Sequence, residues 1–153
     1  MTTNGLAAID GGQVPDGWAE LWASDRWPLR ELPHADLQLV SRGGAILFDG
    51  IAQPWLKDAA KRWTRTRLLA GGAPSTMAHY VGHVSAFSGW LADRVPEVSS
   101  PAQITRTVLE DWLLSIRSSG LAPGTKTSRV SAVRLFLEEQ WQDGLAEGVT
   151  LSV

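Results

Sequence analysis

Between residues 53 and 144 the apolar residues recur at spacings of three and four in four separate runs, each bounded by proline or glycine. That periodicity lays apolar side chains along one stripe of a helix, and four such stripes joined by short loops predict a small helical bundle. The first run, Gln53 to Ala70, turns Leu56, Ala59, Ala60 and Trp63 inward, accepts Pro54 in its first turn and ends at Gly71-Gly72. The second, with Ser75 as its expected N-cap after Pro74, aligns Met77, Tyr80, Val84, Phe87 and Leu91. The third, capped by Thr105, aligns Val108, Leu109, Trp112, Leu113 and Ile116 and ends at Gly120. The fourth opens near Pro123, aligns Val130, Val133, Phe136, Leu137 and Trp141, and stops at Gly144. Leu68, Leu114 and Leu135 fall off these stripes and are expected at the surface, as a packing face for a partner or a further domain.

Residues 1–45 lack a sustained period and read as an irregular, acidic N-terminal arm, although Trp18, Trp22 and Trp27 are too many aromatic residues for pure disorder. Leu37 to Val40, then Arg42-Gly43-Gly44, then Ala45 to Phe48 predict a short β-hairpin turning on the glycine pair. The helical domain is then 46–144, and 145–153 form a tail or the start of an interdomain linker. The fold class expected is all-α.

With 153 residues, 44% of them hydrophobic, the chain suits one core. The absence of cysteine removes disulfides and thiolate metal sites, and His34, His79 and His83 have no carboxylates placed beside them to complete a metal site. No cofactor or metal is expected. No apolar run approaches the roughly 20 residues that span a bilayer, and the N-terminus is not a signal peptide, so a cytoplasmic protein with no membrane partner is expected. The net charge of −2 hides an asymmetry: residues 1–50 carry three basic against seven acidic side chains, and residues 51–143 carry eleven against eight. The helical part is the basic part.

Catalytic constellations are missing. No glycine-rich phosphate loop occurs, and the carboxylate pairs Glu110-Asp111 and Glu138-Glu139 read as solvated helix surface. What remains is a binding pattern. The fourth helix opens with Thr125, Lys126, Thr127, Ser128 and Arg129, hydroxyls and cations placed where free backbone N–H groups already attract anions. Aspartate or glutamate is the usual choice in a first turn, so cations there favour phosphate over mere capping. Lys57, Lys61 and Arg65 recur every four residues on the first helix, either as a solvated face or as phosphate contacts. Ala78, Gly82, Ala86 and Gly89 give the second helix a small-residue face that suits another helix or a phosphate backbone. His79 and His83 beside it are edge-packed histidines or phosphate donors.

Two regions together resemble the N-terminal core-binding domain of phage-integrase-type tyrosine recombinases, a four-helix module also called SAM-like. The second helix is similar to the family's pattern of capping Ser or Thr, Tyr and Phe-x-x-Trp-Leu, here Ser75, Thr76, Tyr80, Val84, Phe87, Trp90 and Leu91. The closing helix resembles its Gly-Leu-Ser-Pro-x-Thr segment with Arg, Ser-Ala and Arg-x-Phe, here Gly120, Leu121, Pro123, Thr125, Arg129, Ser131, Ala132, Arg134 and Phe136. Phe48, Ile51, Trp55, Leu56, Lys61 and Trp63 look like the lead-in helix of actinobacterial and transposon-encoded members, so the resemblance covers about residues 46–144. Lys126 departs from the apolar residue usual after the threonine.

The resemblance implies a four-helix SAM-like bundle that clamps double-stranded DNA through its second and fourth helices while a following domain cuts the strand. It implies as partners DNA, a C-terminal catalytic domain in a parent protein, and other recombinase protomers on DNA. The contact candidates are Thr125, Lys126, Ser128 and Arg129 on the fourth helix and Thr76, His79 and His83 on the second, with Lys57, Lys61 and Arg65 adding nonspecific phosphate contacts. The cutting domain's His-x-x-Arg motif is not met, since Leu37, Gly82 and Ala86 stand three residues beyond the histidines. This chain alone is therefore expected not to be an enzyme. A helical protein-interaction module docking a partner or a missing domain is the alternative.

Overall fold

The computed structural model describes residues 18–33 and 43–142. Five helices and two short strands follow in the order α1 (Trp18–Ala23), β1 (Arg26–Pro28), β2 (Ala45–Leu47), α2 (Pro54–Leu69), α3 (Pro74–Arg94), α4 (Arg106–Arg117) and α5 (Pro123–Gln142). The last four are the four helices expected. Central to them is α3, which packs against α2, α5 and β2, while α4 leans on α5.

The helix ends follow local chemistry. Gly71 ends α2 with φ at 106°, a conformation costly to any residue with a Cβ. Its N–H bonds the Leu68 carbonyl at 3.1 Å, and the Gly72 N–H bonds the Arg67 carbonyl at 2.8 Å, the paired bonds of a Schellman ending. At α4 the expected cap is present, with Thr105 Oγ1 accepting from the Val108 N–H at 3.3 Å. At α3 it is not: Pro74 is the first helical residue, Ala73 holds the cap position, and Ser75 lies inside the first turn. Proline's fixed φ starts the helix one residue earlier than a serine cap would.

The core joins Leu56, Ala60 and Trp63 of α2, Met77, Val81, Val84, Phe87 and Leu91 of α3, Leu109, Trp112 and Ile116 of α4, and Val133, Phe136 and Leu137 of α5. Trp63 meets Phe136 edge-on at 5.1 Å and stacks on Tyr80 at 6.1 Å, and Phe87 meets Trp112 edge-on at 5.0 Å. Aromatic pairs of this kind add about 0.5–1.5 kcal/mol each beyond their buried area. Leu68 is fully buried rather than exposed, and Leu135 is packed against the core, so of the three off-stripe leucines only Leu114 is exposed. α2 packs against both α3 and α5, so more than one stripe of it is covered. The burial of Trp141 and the stop at Gly144 lie outside the described residues.

The N-terminal segment departs from the irregular arm expected of it. Over residues 18–33 it forms α1, β1 and a turn of 3₁₀ helix, and Trp22, Trp27, Leu29 and Leu32 are buried in the same core. Trp18, Trp22, Trp27 and Phe48 form a chain of ring contacts at 5.7, 4.7 and 4.5 Å. β2 pairs with β1 in the antiparallel register Arg26↔Leu47, Trp27↔Ile46 and Pro28↔Ala45, and the other strand of the expected β-hairpin falls on residues that are not described. Trp27 and Ile46 face the core, and Arg26 and Leu47 face outward, as a period of two requires. Residues Leu37–Val40 lie outside the described residues, as do 1–17 and 145–153.

A polar tie holds the loop before α2 to the middle of α3. Buried Ser88 accepts the Ala52 N–H at 2.8 Å, and Gln53 Nε2 donates to the Ser88 carbonyl at 3.1 Å. A buried serine is acceptable on an apolar helix face because its hydroxyl is satisfied there.

Candidate nucleic-acid interface

On α3 the side chains of Thr76, His79, His83, Ala86 and Trp90 follow one another at spacings of three and four, and so share one face. Beside them Gly82 and Gly89 are exposed, and a Cβ built on either meets nothing within 4 Å. Among the described residues no other helix packs closely at either glycine, which leaves the second reading of that small-residue face open. The backbone of α3 lies bare to solvent there.

Where α5 crosses this face, Arg129 Nε donates to His83 Nδ1 at 3.3 Å. The contact joins candidates 46 residues apart on two helices and fixes the ring's state, because an imidazole nitrogen that accepts a hydrogen bond carries no proton. Burial pushes the His83 pKa down from its ordinary 6.5, and the positive charges of Arg129 and His79 push it the same way. Thr125, on the same flank of α5 one turn before Arg129, is half-buried, and Ser128 is exposed. None of Thr76, His79, His83, Thr125, Ser128 and Arg129 is acidic.

Lys126 is used differently. Its Nζ donates to the Arg117 carbonyl at 2.9 Å, satisfying a backbone acceptor at the C-terminus of α4. A cation at that end also opposes the negative pole of the α4 dipole. This explains a lysine where the resembling modules hold an apolar residue: the position ties α5 to α4. Thr127 Oγ1 bonds back to the Pro123 carbonyl at 3.2 Å.

The cationic stripe of α2 is drawn into the N-terminal segment. Asp25 accepts from Lys57 and from Lys61, both at 2.8 Å, and these bonds hold its carboxyl below its ordinary pKa of 3.8. Lys61 also donates to the Ala23 carbonyl at 3.2 Å and lies 5.9 Å from the centre of the Phe48 ring. Arg65, one turn further, is exposed, and Arg62 pairs with Asp58. Of the ten candidates the structure thus brings His83 and Arg129 into contact, places Thr76, His79, Thr125 and Ser128 on their two helices, gives Lys57, Lys61 and Lys126 partners within the chain, and leaves Arg65 exposed on α2.

Two residues with structural roles escaped the sequence reading. Asp25 carries no positional signal, because its lysines follow 32 and 36 residues later. Glu139, read as solvated surface, accepts from Trp63 Nε1 at 2.6 Å and from Arg67 at 2.7 Å. On another side of α5, Leu113, Leu114, Arg117, Lys126, Val130 and Arg134 line a shallow groove against α4. Among the described residues no group of three His, Asp or Glu could hold a metal ion, and no helix is long and apolar enough to cross a membrane.

Against protein families, residues 60–143 match the phage integrase N-terminal SAM-like domain, which is more than half of the chain. The chain belongs to this family. The SAM-like match starts within α2 and ends one residue past α5, so it contains α3, α4, α5 and the His83–Arg129 contact. Among curated proteins, this SAM-like domain is similar to transposase B of transposon Tn554 from Staphylococcus aureus, in strains Mu50 and N315, at 28% identity over 130 residues. Transposase B of transposon PsiTn554 from Staphylococcus aureus is 27% identical over 114 residues. The alignments cover 81% and 73% of this chain but 20% and 18% of those transposases, so the chain spans about a fifth of the length of these relatives. No solved structure matches.

Proposed function

We propose that this SAM-like domain binds duplex DNA for recombination, integration or transposition, through the face that α3 and α5 share. The Arg129–His83 contact carries the reading, because it holds a guanidinium on a face of hydroxyl and imidazole donors beside bare helix backbone. Arginine, hydroxyl and backbone N–H donors are the groups that hold phosphate, and the first turn of α5 adds helix-end N–H groups. The major groove, about 12 Å wide, admits a helix. Strand cleavage would belong to another part of a longer parent protein, in keeping with a family defined by an N-terminal domain and relatives about four times as long. Other recombinase protomers on the same DNA are further partners under this reading.

Titrating the isotope-labelled chain with a short duplex at low salt tests this. Amide shifts concentrated at Thr76–His83 and Thr125–Arg129 support the reading, and shifts absent there while present along Leu113–Arg117 count against it.

The exposed Leu114 in the α4/α5 groove favours a second reading, a protein-docking module. Under that reading Leu114→Glu lowers a concentration-dependent mass in sedimentation and leaves duplex affinity unchanged.

A further inference from the structure

We propose that His83 acts as a positioning residue for Arg129, its neutral imidazole holding the Arg129 Nε–H so that the remaining guanidinium donors are presented in one orientation. This rests on the DNA-binding reading and assigns the two residues different tasks. Arg129 touches phosphate, and His83 works through Arg129.

The geometry supports the division. A guanidinium has five N–H donors, and the bond to His83 Nδ1 uses the one on Nε, leaving the four on the terminal nitrogens for a ligand. His83 is half-buried on α3, where its one side-chain hydrogen bond reaches across to α5. A free arginine loses much rotamer freedom when it binds, and one already held by its neighbour loses less. With Nδ1 unprotonated, the neutral ring carries its proton on Nε2. The charged and titratable groups facing it are Arg129 from α5 and His79 from its own helix, both basic. Among the described residues no carboxylate stabilises the charged ring, so neutrality and the acceptor role agree. Protonation would remove the acceptor and set two cations against each other, which makes the contact dependent on pH.

The test compares duplex affinity at several salt concentrations for the full chain and for His83→Ala, His83→Asn and Arg129→Ala. Asparagine suits the rescue because its Oδ1 lies where imidazole Nδ1 does, and its helix propensity is close to that of histidine. Arg129→Ala is expected to reduce the slope of log affinity against log salt by about one, as a lost phosphate contact does. His83→Ala is expected to weaken binding roughly three- to tenfold with the slope unchanged, and His83→Asn to restore most of that loss. In the absence of DNA, the His83 ring titration followed by NMR should move up toward its ordinary value in Arg129→Ala. His83→Ala binding like the parent, His83→Asn as weak as His83→Ala, or a His83 titration indifferent to Arg129 would each overturn the positioning role. If the unaltered chain shows no salt-dependent duplex binding, the DNA-binding reading itself fails and the positioning role falls with it.

Discussion

Glu139 on α5 accepts the indole N–H of Trp63 on α2 at 2.6 Å, so the first and last helices of the bundle are joined by a polar bond inside a largely apolar contact. The second carboxylate oxygen takes Arg67, whose guanidinium also lies 5.6 Å from the Trp63 ring. One carboxylate therefore satisfies a nearly buried indole and fixes an arginine over its face.

Glu139→Ala should destabilise the chain by about 1–3 kcal/mol, because Trp63 Nε1 then loses its partner while remaining buried. Glu139→Gln keeps an acceptor and should cost less than half as much. Urea unfolding followed by tryptophan fluorescence measures both, and equal losses in the two variants would argue against the indole bond.

Trp27 is fully buried between Trp22 and Phe48, in a segment outside the matched domain. Trp27→Ala should cost about 3–5 kcal/mol, the range for a buried aromatic side chain, and should lower the melting temperature of the whole domain in a single transition. A bundle that melts unchanged would show residues 18–33 to be dispensable.

The four bundle helices were legible because each carries its apolar residues at helical spacing between strong breakers, and because Pro54, Thr105, Gly71-Gly72 and Pro123 act through neighbours one to five residues away. β1 was not legible: three residues with one inward side chain, Trp27, give no period to read. The resemblance pointed to α3 and α5, and the shared face follows from it. What no spacing rule could supply were the long-range pairings. Whether Lys57 and Lys61 are free depends on Asp25, and whether Lys126 is free depends on the Arg117 carbonyl.

Asp25→Asn should release both lysines from the N-terminal segment. The stability cost should be small, within about 1 kcal/mol, because the pair is partly exposed. Duplex affinity at low salt should rise roughly two- to fivefold as two cations become available to phosphate. Because folding lowers the Asp25 pKa, its contribution to stability is complete above its ordinary 3.8 and disappears as pH falls through the lowered folded value. Asp25→Asn should therefore flatten the acid limb of the stability curve.

Lys126 and Arg129 lie in the same turn of α5 and should separate cleanly. Lys126→Ala should cost about 0.5–1.5 kcal/mol through the lost bond to the Arg117 carbonyl, which water then takes over, with duplex affinity little changed. Arg129→Ala should do the reverse. Parallel thermal melts and duplex titrations check the pair, and a larger affinity loss for Lys126→Ala would reverse the assignment.

The most direct measurement is the affinity of the chain for a short fluorescent duplex, by anisotropy at about 50 and about 200 mM salt, with and without Arg129→Glu. The α3/α5 face predicts binding that weakens steeply with salt and at least a tenfold loss on charge reversal, with the fold intact by circular dichroism. Equal affinity of Arg129→Glu and the unaltered chain at the lower salt would contradict it.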